Sequence, residues 1–261
     1  MPPLGVLIVL CGFFGLAIGS FLNVVIYRVP RNESVITPRS ACPNCGTQIE
    51  TRDNIPVLSW LLLRGRCRHC QTRISWQYPA VELLTAGLFA GLAARFGWDW
   101  ALPAYLALFA GLVALSWIDV ERLVLPKAII YPTLVIVTVL LLVASAADHD
   151  WHSMWVGAVC AVGWWMAFWA LNLISPRLLG YGDVRLAPVL GLGLGWLGWR
   201  YVILGFFAAN LIGAVLGIAL IATKRIERQQ RIPYGVFLAL GAAVAVYWGP
   251  QILGPLSNSG I

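Results

Sequence analysis

The sequence predicts an all-α polytopic membrane protein with about eight transmembrane helices and a small cytosolic zinc-knuckle insertion containing four cysteines. The chain has 261 residues, of which 60% are hydrophobic and only 11% charged, and its mean hydropathy is +0.80. A soluble domain carries about 25% charged residues. Several apolar runs exceed the roughly 18 residues that span a bilayer, and the alternation typical of barrel strands is missing from the sequence. Because lipid admits only helices or closed barrels, we expect helices.

Eight apolar segments are predicted to be spans, with boundaries good to a few residues. They are residues 4–27, 78–95, 100–118, 127–146, 154–175, 186–198, 201–222 and 234–252. The sixth is short and contains Gly191, Gly193 and Gly195, so we expect it to be tilted, broken or packed tightly against a neighbour. The first has no basic residue before it and is too long for a signal-peptide core, so we interpret it as a retained span.

The basic residues predict the orientation of these spans. Sixteen of the 18 Lys and Arg residues fall on one side, in residues 28–77, 119–127, 176–185 and 223–233. Only Arg95 and Arg200 fall on the other. The positive-inside rule therefore makes the basic loops cytosolic and places both termini outside. This bias, with contacts to anionic membrane lipid, explains the net charge of +7 without a nucleic-acid partner.

The only sizeable polar segment divides the chain into a first transmembrane helix (1–27), a cytosolic zinc-binding loop domain (28–77) and a transmembrane domain (78–261). The loop contains two CxxC pairs, and they predict a structural zinc site with ligands Cys42, Cys45, Cys67 and Cys70. Cytosolic thiols stay reduced, which disfavours disulfides. Four thiolates leave no open position on the metal, whose binding would fold the loop. A thioredoxin-like redox motif and His69 as a ligand are disfavoured alternatives.

The loop and the spans contain further apolar positions for which a packing role is expected. Residues 55–63 are too apolar for a free loop, so we expect them to pack on the knuckles or to lie in the membrane interface. Cys11 and Cys160 lie inside spans and are expected to be small buried hydrophobic residues.

Two aspartates, Asp119 and Asp183, stand at the edges of apolar runs and on the predicted cytosolic face. Acids so close to hydrocarbon are costly and usually serve a function. If they face each other, they are what a membrane-embedded aspartyl protease needs. The competing interpretation is a helix-end acid that reaches headgroup water or, for Asp183, a helix N-cap. Gly180 and Gly182, just before Asp183, permit close approach of another backbone.

Taken in order, these motifs resemble those of the bacterial type IV prepilin peptidases (leader peptidase and N-methyltransferase), which are GxGD aspartyl intramembrane proteases. The resemblance runs nearly end to end. The matching segments are residues 19–30 (GSFLNVVIYRVP), 39–45 (RSACPNC), 64–70 (RGRCRHC), 78–85 (YPAVELLT), 180–186 (GYGDVRL) and 232–240 (IPYGVFLAL). In this resemblance Asp119 and Asp183 stand at the two catalytic positions.

The chain departs from the family pattern at three positions. Lys127 follows Leu125-Pro126 where family members commonly carry an acid, Arg185 replaces a lysine, and Val236 replaces a proline. Arginine at position 185 keeps the positive charge of the lysine but carries a planar guanidinium group that can form two parallel hydrogen bonds. None removes a catalytic acid, and they leave room for altered substrate preference or lower activity.

The resemblance implies cleavage of the short basic leader from type IV prepilins or type II secretion pseudopilins at the cytosolic face of the bacterial cytoplasmic (inner) membrane. Two close carboxyl groups would share one proton and activate a water as a pair. The resemblance also implies N-methylation of the new amino terminus with S-adenosylmethionine. Only the resemblance supports this activity, because the sequence has no glycine-rich nucleotide loop after a strand.

Other acids are candidates for secondary roles. The acids that are candidates to meet the basic leader are Glu33, Glu50, Asp53, Glu121 and Glu227, and most are expected to be solvated loop charges. Glu82 lies about one turn inside the second span. We expect it to pair with an arginine such as Arg73 or Arg28, or to serve the second activity.

Rival interpretations remain open at this point. A transporter or channel would use Asp119 and Asp183 as a proton or cation relay, but such acids lie near mid-bilayer and often accompany internal repeats. A membrane-anchored scaffold would use the zinc knuckle for partner binding and tolerate loss of both aspartates. A different metal-dependent enzyme would need an open metal site, although the two aspartates could hold a divalent ion themselves. The identity of the prepilin and the oligomeric state are not readable from the sequence.

Overall fold

The computed structural model describes residues 2–175, 179–223 and 233–257. These residues form nine α-helices, two short 3₁₀ turns (Val29–Arg31 and Thr51–Asn54) and no strand. The helices are α1 (Leu4–Arg28), α2 (Leu58–Leu62), α3 (Gln77–Phe96), α4 (Leu102–Arg122), α5 (Lys127–Ala147), α6 (Trp151–Ile174), α7 (Tyr181–Leu197), α8 (Trp199–Ala222) and α9 (Tyr234–Ser257). The predicted all-α class is confirmed.

Seven of the described helices, all but α2 and α7, are long and apolar enough to cross a membrane. The remaining predicted span corresponds to α7, which has 17 residues and is about 25 Å long. It begins at Tyr181 instead of the predicted residue 186, because Gly180 is its N-cap and the helix continues through the polar turn that follows. Asp183, predicted to lie in a loop, is therefore helical.

The end of α4 shows the same difference from the sequence prediction. Asp119 was expected to begin a loop, but α4 continues to Arg122 and ends where Leu123 adopts a left-handed conformation with φ 55°. The Leu123 N–H donates to the Asp119 carbonyl over 2.8 Å. The sequence prediction ended each span at its first charged residue, whereas helical hydrogen bonding continues as far as the helix cap. Both aspartates therefore lie in the end turns of helices.

The chain divides into two compact units, Met1–Trp98 and Asp99–Ile261. In the first unit, α1 packs on α3 through Gly15 and Gly19. A Cβ on Gly15 would lie 2.7 Å from the Ala86 Cα, and one on Gly19 would lie 2.7 Å from the Glu82 Cα. Small residues four apart let two membrane helices approach this closely, where van der Waals packing replaces the hydrophobic effect.

In the second unit, α7 is the central helix and contacts α4, α5, α6, α8 and α9. Its glycines press against α6: a Cβ on Gly191 would lie 2.7 Å from the Cys160 carbonyl oxygen, and one on Gly195 would lie 2.6 Å from the Cys160 Cβ. Of the alternatives offered for this glycine-rich span, tight packing against a neighbour is the one observed, and α7 is unbroken. Cys160 is half-buried and Cys11 is buried, in broad agreement with their predicted packing role.

Candidate active site and metal centre

Asp119 lies in the last turn of α4 with a side chain only 5% exposed. Its Oδ2 accepts a hydrogen bond of 2.9 Å from the Gly235 N–H, and the Val236 N–H is also directed at this carboxylate. Both donors belong to the first turn of α9. The unpaired N–H groups and the positive end of the dipole at a helix N-terminus stabilise an anion, which offsets part of the cost of burying this acid.

Asp183 is the third residue of α7 and is 7% exposed. Its Oδ2 accepts a hydrogen bond of 3.2 Å from the Gly180 N–H. This bond is one of the two hydrogen bonds that make up a capping box. Its Oδ1 is buried and has no hydrogen-bond partner among the described residues. Helix capping thus accounts for only one of the two carboxyl oxygens.

The fold brings these two carboxyl groups together. They are close enough for the charge of Asp119 to act on Asp183. Leu125, in the connection from α4 to α5, lies between the helix ends that carry them. A Cβ on Gly182 would lie 2.9 Å from the Leu125 Cβ, and one on Gly235 would lie 3.0 Å from the Leu125 Cδ2 and 2.9 Å from the Asp119 Oδ2. A side chain at either position would therefore require Leu125 or Asp119 to move.

Tyr234 is a further polar neighbour of the pair. The charge of Asp183 acts on its phenol, whose hydroxyl donates to the Asn210 Oδ1 over 3.4 Å. Leu125, Tyr234 and Gly235 were not assigned to the site from the sequence. The IPYG segment contains two of them, but only the folded chain shows that its glycine N–H meets Asp119.

The three departures from the family pattern have different surroundings. Lys127 is the first residue of α5 and is exposed, while the Arg185 guanidinium stacks on the Tyr181 ring with its carbon 4.5 Å from the ring centre. Val236 supplies an N–H to Asp119 that a proline at this position would lack. The last departure therefore adds a donor to the site and removes nothing from it.

The four cysteines of the loop form the predicted cluster. The Sγ atoms of Cys42, Cys45, Cys67 and Cys70 all lie within 4.8 Å of one another, and those of Cys42 and Cys70 are 3.7 Å apart. Four sulfur donors at this separation suit a tetrahedral metal ion such as zinc. His69 is exposed, lies 3.9 Å from a Glu50 oxygen and is outside the cluster, as expected.

The two CxxC segments are built alike. In the first, the Cys42 N–H donates to the Thr47 carbonyl over 2.9 Å, and in the second, the Cys67 N–H donates to the Thr72 carbonyl over the same distance. Hydrogen bonds from the Thr72 hydroxyl and N–H lower the pKa of Cys70 to about 5. A thiol that ionises this readily is prepared to bind a metal, since the thiolate is the ligand form.

Residues 55–63 show one of the two arrangements expected for them, packing on a knuckle. Trp60 packs against Gly65, next to the second CxxC segment with Cys67 and Cys70 (the second knuckle; the first contains Cys42 and Cys45). Leu58, Leu61 and Leu62 are exposed. The segment is thus anchored to the knuckle on one side and presents an apolar surface on the other.

Glu82 does not pair with Arg73, Arg28 or any other arginine of the described residues, so that expectation was wrong. Its Oε2 accepts a hydrogen bond of 2.7 Å from the Val57 N–H. Val57 has φ 62°, an unfavourable conformation for a β-branched residue. Arg28 instead donates to the carbonyls of Ser34 and Pro38. Glu82 therefore holds the chain just before α2 against α3.

The acids considered for leader binding differ in their surroundings. Glu50 pairs with Arg52 over 2.7 Å, and Asp53 accepts two hydrogen bonds from Arg68. The Arg68 guanidinium lowers the pKa of Asp53. Glu121 accepts from the Trp117 indole over 3.1 Å, and Glu227 lies outside the described residues.

Comparison with known proteins decides the family. The bacterial peptidase A24 N-terminal domain matches residues 13–96, and the type IV leader peptidase family matches residues 106–218. The chain belongs to the type IV leader peptidase family. The first matched range contains the four cysteines, and the second contains both Asp119 and Asp183. No known structure is significantly similar to this chain.

Several curated proteins of this family are similar over nearly their whole length. A prepilin leader peptidase/N-methyltransferase of Stutzerimonas stutzeri is 36% identical, with 94% of this chain and 92% of that protein aligned. Proteins with the same name from Aeromonas hydrophila and Pseudomonas aeruginosa are 37% and 35% identical, covering 92% and 94% of this chain and 90% and 91% of their own. These relatives give no support to a transporter.

Proposed function

We propose that this protein is a membrane aspartyl endopeptidase that removes the short basic leader from type IV prepilins or pseudopilins and then N-methylates the new amino terminus. The observation that carries the proposal is the proximity of Asp119 and Asp183, which accept backbone hydrogen bonds at the first turns of α9 and α7. Family membership and the names of the full-length relatives support the same activity.

In this mechanism the two carboxyl groups hold one proton between them, because like charges at close range do not both ionise readily. The ionised member takes a proton from a water molecule as its oxygen attacks the scissile carbonyl carbon. The protonated member donates to the carbonyl oxygen. When the C–N bond breaks, a proton from the pair goes to the leaving amine. The pair titrates as a unit, so neither aspartate is assigned one fixed role.

The orientation of the donors suits this chemistry. The Asp119 Oδ2 and the Asp183 Oδ2 are each held by a backbone N–H, while the Asp183 Oδ1 is buried and has no partner among the described residues. A water donating to this oxygen would satisfy it when the carboxyl group is ionised, and a substrate carbonyl oxygen accepting from it would do so when Oδ1 carries the proton. Binding of substrate would thus supply the hydrogen bond that the folded chain leaves unmade.

The metal would be a structural zinc held by Cys42, Cys45, Cys67 and Cys70, which would leave it no open position for substrate. Zinc would stabilise the loop by joining its two knuckles. The methyl donor would be S-adenosylmethionine, as the names of the relatives suggest. The site for this donor is not assigned to residues.

The proposed location is the bacterial inner membrane, with the cysteine module and both aspartates on the cytosolic side. The basic loops support this orientation, because positively charged segments flanking spans are retained in the cytosol. It places the site on the side where a short basic leader would stay during insertion of the following apolar stem.

The test is cleavage of a prepilin in membranes by the parent chain and by Asp119→Asn and Asp183→Asn. Each variant is expected to lose roughly a thousandfold in rate at unchanged abundance, since general acid–base groups contribute about that much. Asp148→Asn, an exposed acid of the same unit, is the matched control and is expected to cleave normally. Near-parental cleavage by either site variant would rule out the two-aspartate mechanism.

A further inference from the structure

The first unit contains an open cleft of about 610 Å³ beside the second knuckle. Its lining includes Trp60 and Trp76 and three arginines, Arg64, Arg66 and Arg73, and no acidic residue. All three arginines are exposed. The cleft thus combines a concentrated positive charge with aromatic walls, and nothing in the proposed peptidase mechanism uses it.

The positive charge of the cleft is not neutralised within the described part of the module. Glu50 pairs with Arg52, and Asp53 pairs with Arg68 over 2.5 Å. Within residues 2–175, 179–223 and 233–257, the guanidinium groups of the three cleft arginines form no ion pair and no side-chain hydrogen bond. The nearby acids are thus already engaged by other cations.

Two of these arginines lie opposite each other, and the repulsion between their charges destabilises this part of the loop. Arg66 and Arg73 form an antiparallel bridge, so their side chains lie on the same side, and like charges in this position destabilise the pair. The corresponding bridge of the first knuckle joins Ala41 and Gln48, which are uncharged. The knuckle fold therefore does not require the arginine pair. An anion between the two guanidinium groups would remove the repulsion.

One wall of the cleft, Trp60, is held in place, and the cleft lies beside a predicted membrane span. The Trp60 Nε1 donates to the Ile74 carbonyl over 3.2 Å, and its ring packs against Gly65, where a Cβ would lie 3.0 Å away. Trp76 is 69% exposed and directly precedes α3, which begins at Gln77. The cleft thus opens at the end of a span, where tryptophan side chains prefer the headgroup region of the bilayer.

We infer that this cleft binds the phosphate of an anionic phospholipid headgroup, held between Arg66 and Arg73 and flanked by Trp60 and Trp76. Guanidinium forks match phosphate oxygens in geometry, and basic residues next to a span favour anionic lipid. The exposed Leu61 and Leu62 close by would enter the same interface. S-adenosylmethionine fits less well, because its sulfonium and ammonium charges would meet three arginines and no acid.

The test measures lipid binding to the full chain in detergent by native mass spectrometry. The added probes are dioleoyl phosphatidylglycerol, dioleoyl phosphatidylcholine and inorganic phosphate, each by itself. The variant Arg66→Ala with Arg73→Gln gives the second knuckle the uncharged pair of the first. We expect it to bind the anionic lipid about thirtyfold more weakly, since each arginine near an anionic surface contributes about fivefold.

The control Arg39→Ala with Arg52→Gln removes the same charge from exposed positions of the module and should leave lipid binding within about twofold. Unchanged metal content would show that each variant folds, and Arg73→Gln alone serves if the double variant does not. Equal loss in the control, or no preference for phosphatidylglycerol over phosphatidylcholine, would overturn the inference. The inference would also be overturned if inorganic phosphate bound as tightly as the lipid. The same holds if the double variant lost S-adenosylmethionine binding but retained lipid binding.

Discussion

At the scale of single residues, the proposed dyad depends on neighbours that have no chemistry of their own. Gly235 donates its N–H to Asp119. A Cβ added to Gly235 or to Gly182 would lie about 3 Å or less from Leu125. Leu125 separates the helix ends that carry the carboxyl groups. Its size and position therefore set how closely the ends of α4, α7 and α9 approach.

The first prediction concerns Gly235→Ala. The new Cβ would lie 2.9 Å from the Asp119 Oδ2, so this carboxylate must move away from its N–H donor. A displacement of about 1 Å in an active site costs roughly a hundredfold in rate, and we expect a loss of that order in prepilin cleavage. Gly163→Ala is the control, since a Cβ there meets no atom within 4 Å. Full activity of the Gly235 variant would show that the Asp119 contact is dispensable.

The residue scale also shows what the sequence could and could not establish about the site. Asp119 and Asp183 were identified from their positions at the edges of apolar runs and from the GYGD motif. Their helical environment was not, because hydropathy does not report where helical hydrogen bonding ends. The pairing of Glu82 with an arginine was wrong, since a nearby backbone N–H satisfies this acid without a second charge.

At the scale of helices, close packing through glycine recurs in both units. Gly15 and Gly19 bring α1 onto α3, and Gly191 and Gly195 bring α7 onto α6. The spacing of four residues is visible in the sequence as a packing motif, but its partner helix is not. Only the fold shows that the first of these surfaces contacts the part of α3 that carries Glu82.

The second prediction is that Gly19→Ala destabilises the first unit. Its Cβ would lie 2.7 Å from the Glu82 Cα, so backbone must separate from backbone. Overpacking of this kind costs about 1–3 kcal/mol. Thermal unfolding of the purified protein in detergent should therefore occur at a lower temperature. Gly87→Ala, in open space on α3, should unfold like the parent; equal midpoints for both variants would refute the packing role.

At the scale of the whole molecule, the loop has little apolar interior of its own, and its cysteine cluster takes the place of a core. The third prediction is one zinc per chain by elemental analysis, lost in Cys42→Ser and in Cys67→Ser. A chelator should make the loop sensitive to proteolysis, because metal binding supplies the free energy that folds such modules. Helicity of the spans should persist.

Cys11→Ala serves as the control for the metal prediction, since Cys11 is a buried residue of α1 outside the cluster. It should keep the parental zinc content. Parental zinc in the Cys42 and Cys67 variants would refute the four-thiolate site. Zinc loss with an unchanged proteolysis pattern would instead show that the metal does not hold the loop.

The fourth prediction concerns membrane orientation. If the chain crosses eight times with cytosolic basic loops, both termini lie outside. Alkaline phosphatase joined at the C-terminus should then be active, and the same enzyme inserted near residue 46 should be inactive. A β-galactosidase series at the same two positions should give the reverse pattern and controls for expression. An active phosphatase in the cysteine loop would contradict a cytosolic site.

The sequence by itself determined the membrane class, the helical architecture and the cysteine cluster, and it predicted the two aspartates of the proposed site. These features depend on local composition and on short spacings in the sequence. The bilayer selects apolar helical segments, and a metal ion selects closely spaced cysteines. Only the tertiary structure decided that the two aspartates lie near each other beside Leu125, that α9 supplies N–H groups to Asp119, and that three arginines without an ion pair among the described residues share one cleft. Such contacts join residues distant in the chain, and their geometry depends on how closely whole helices pack.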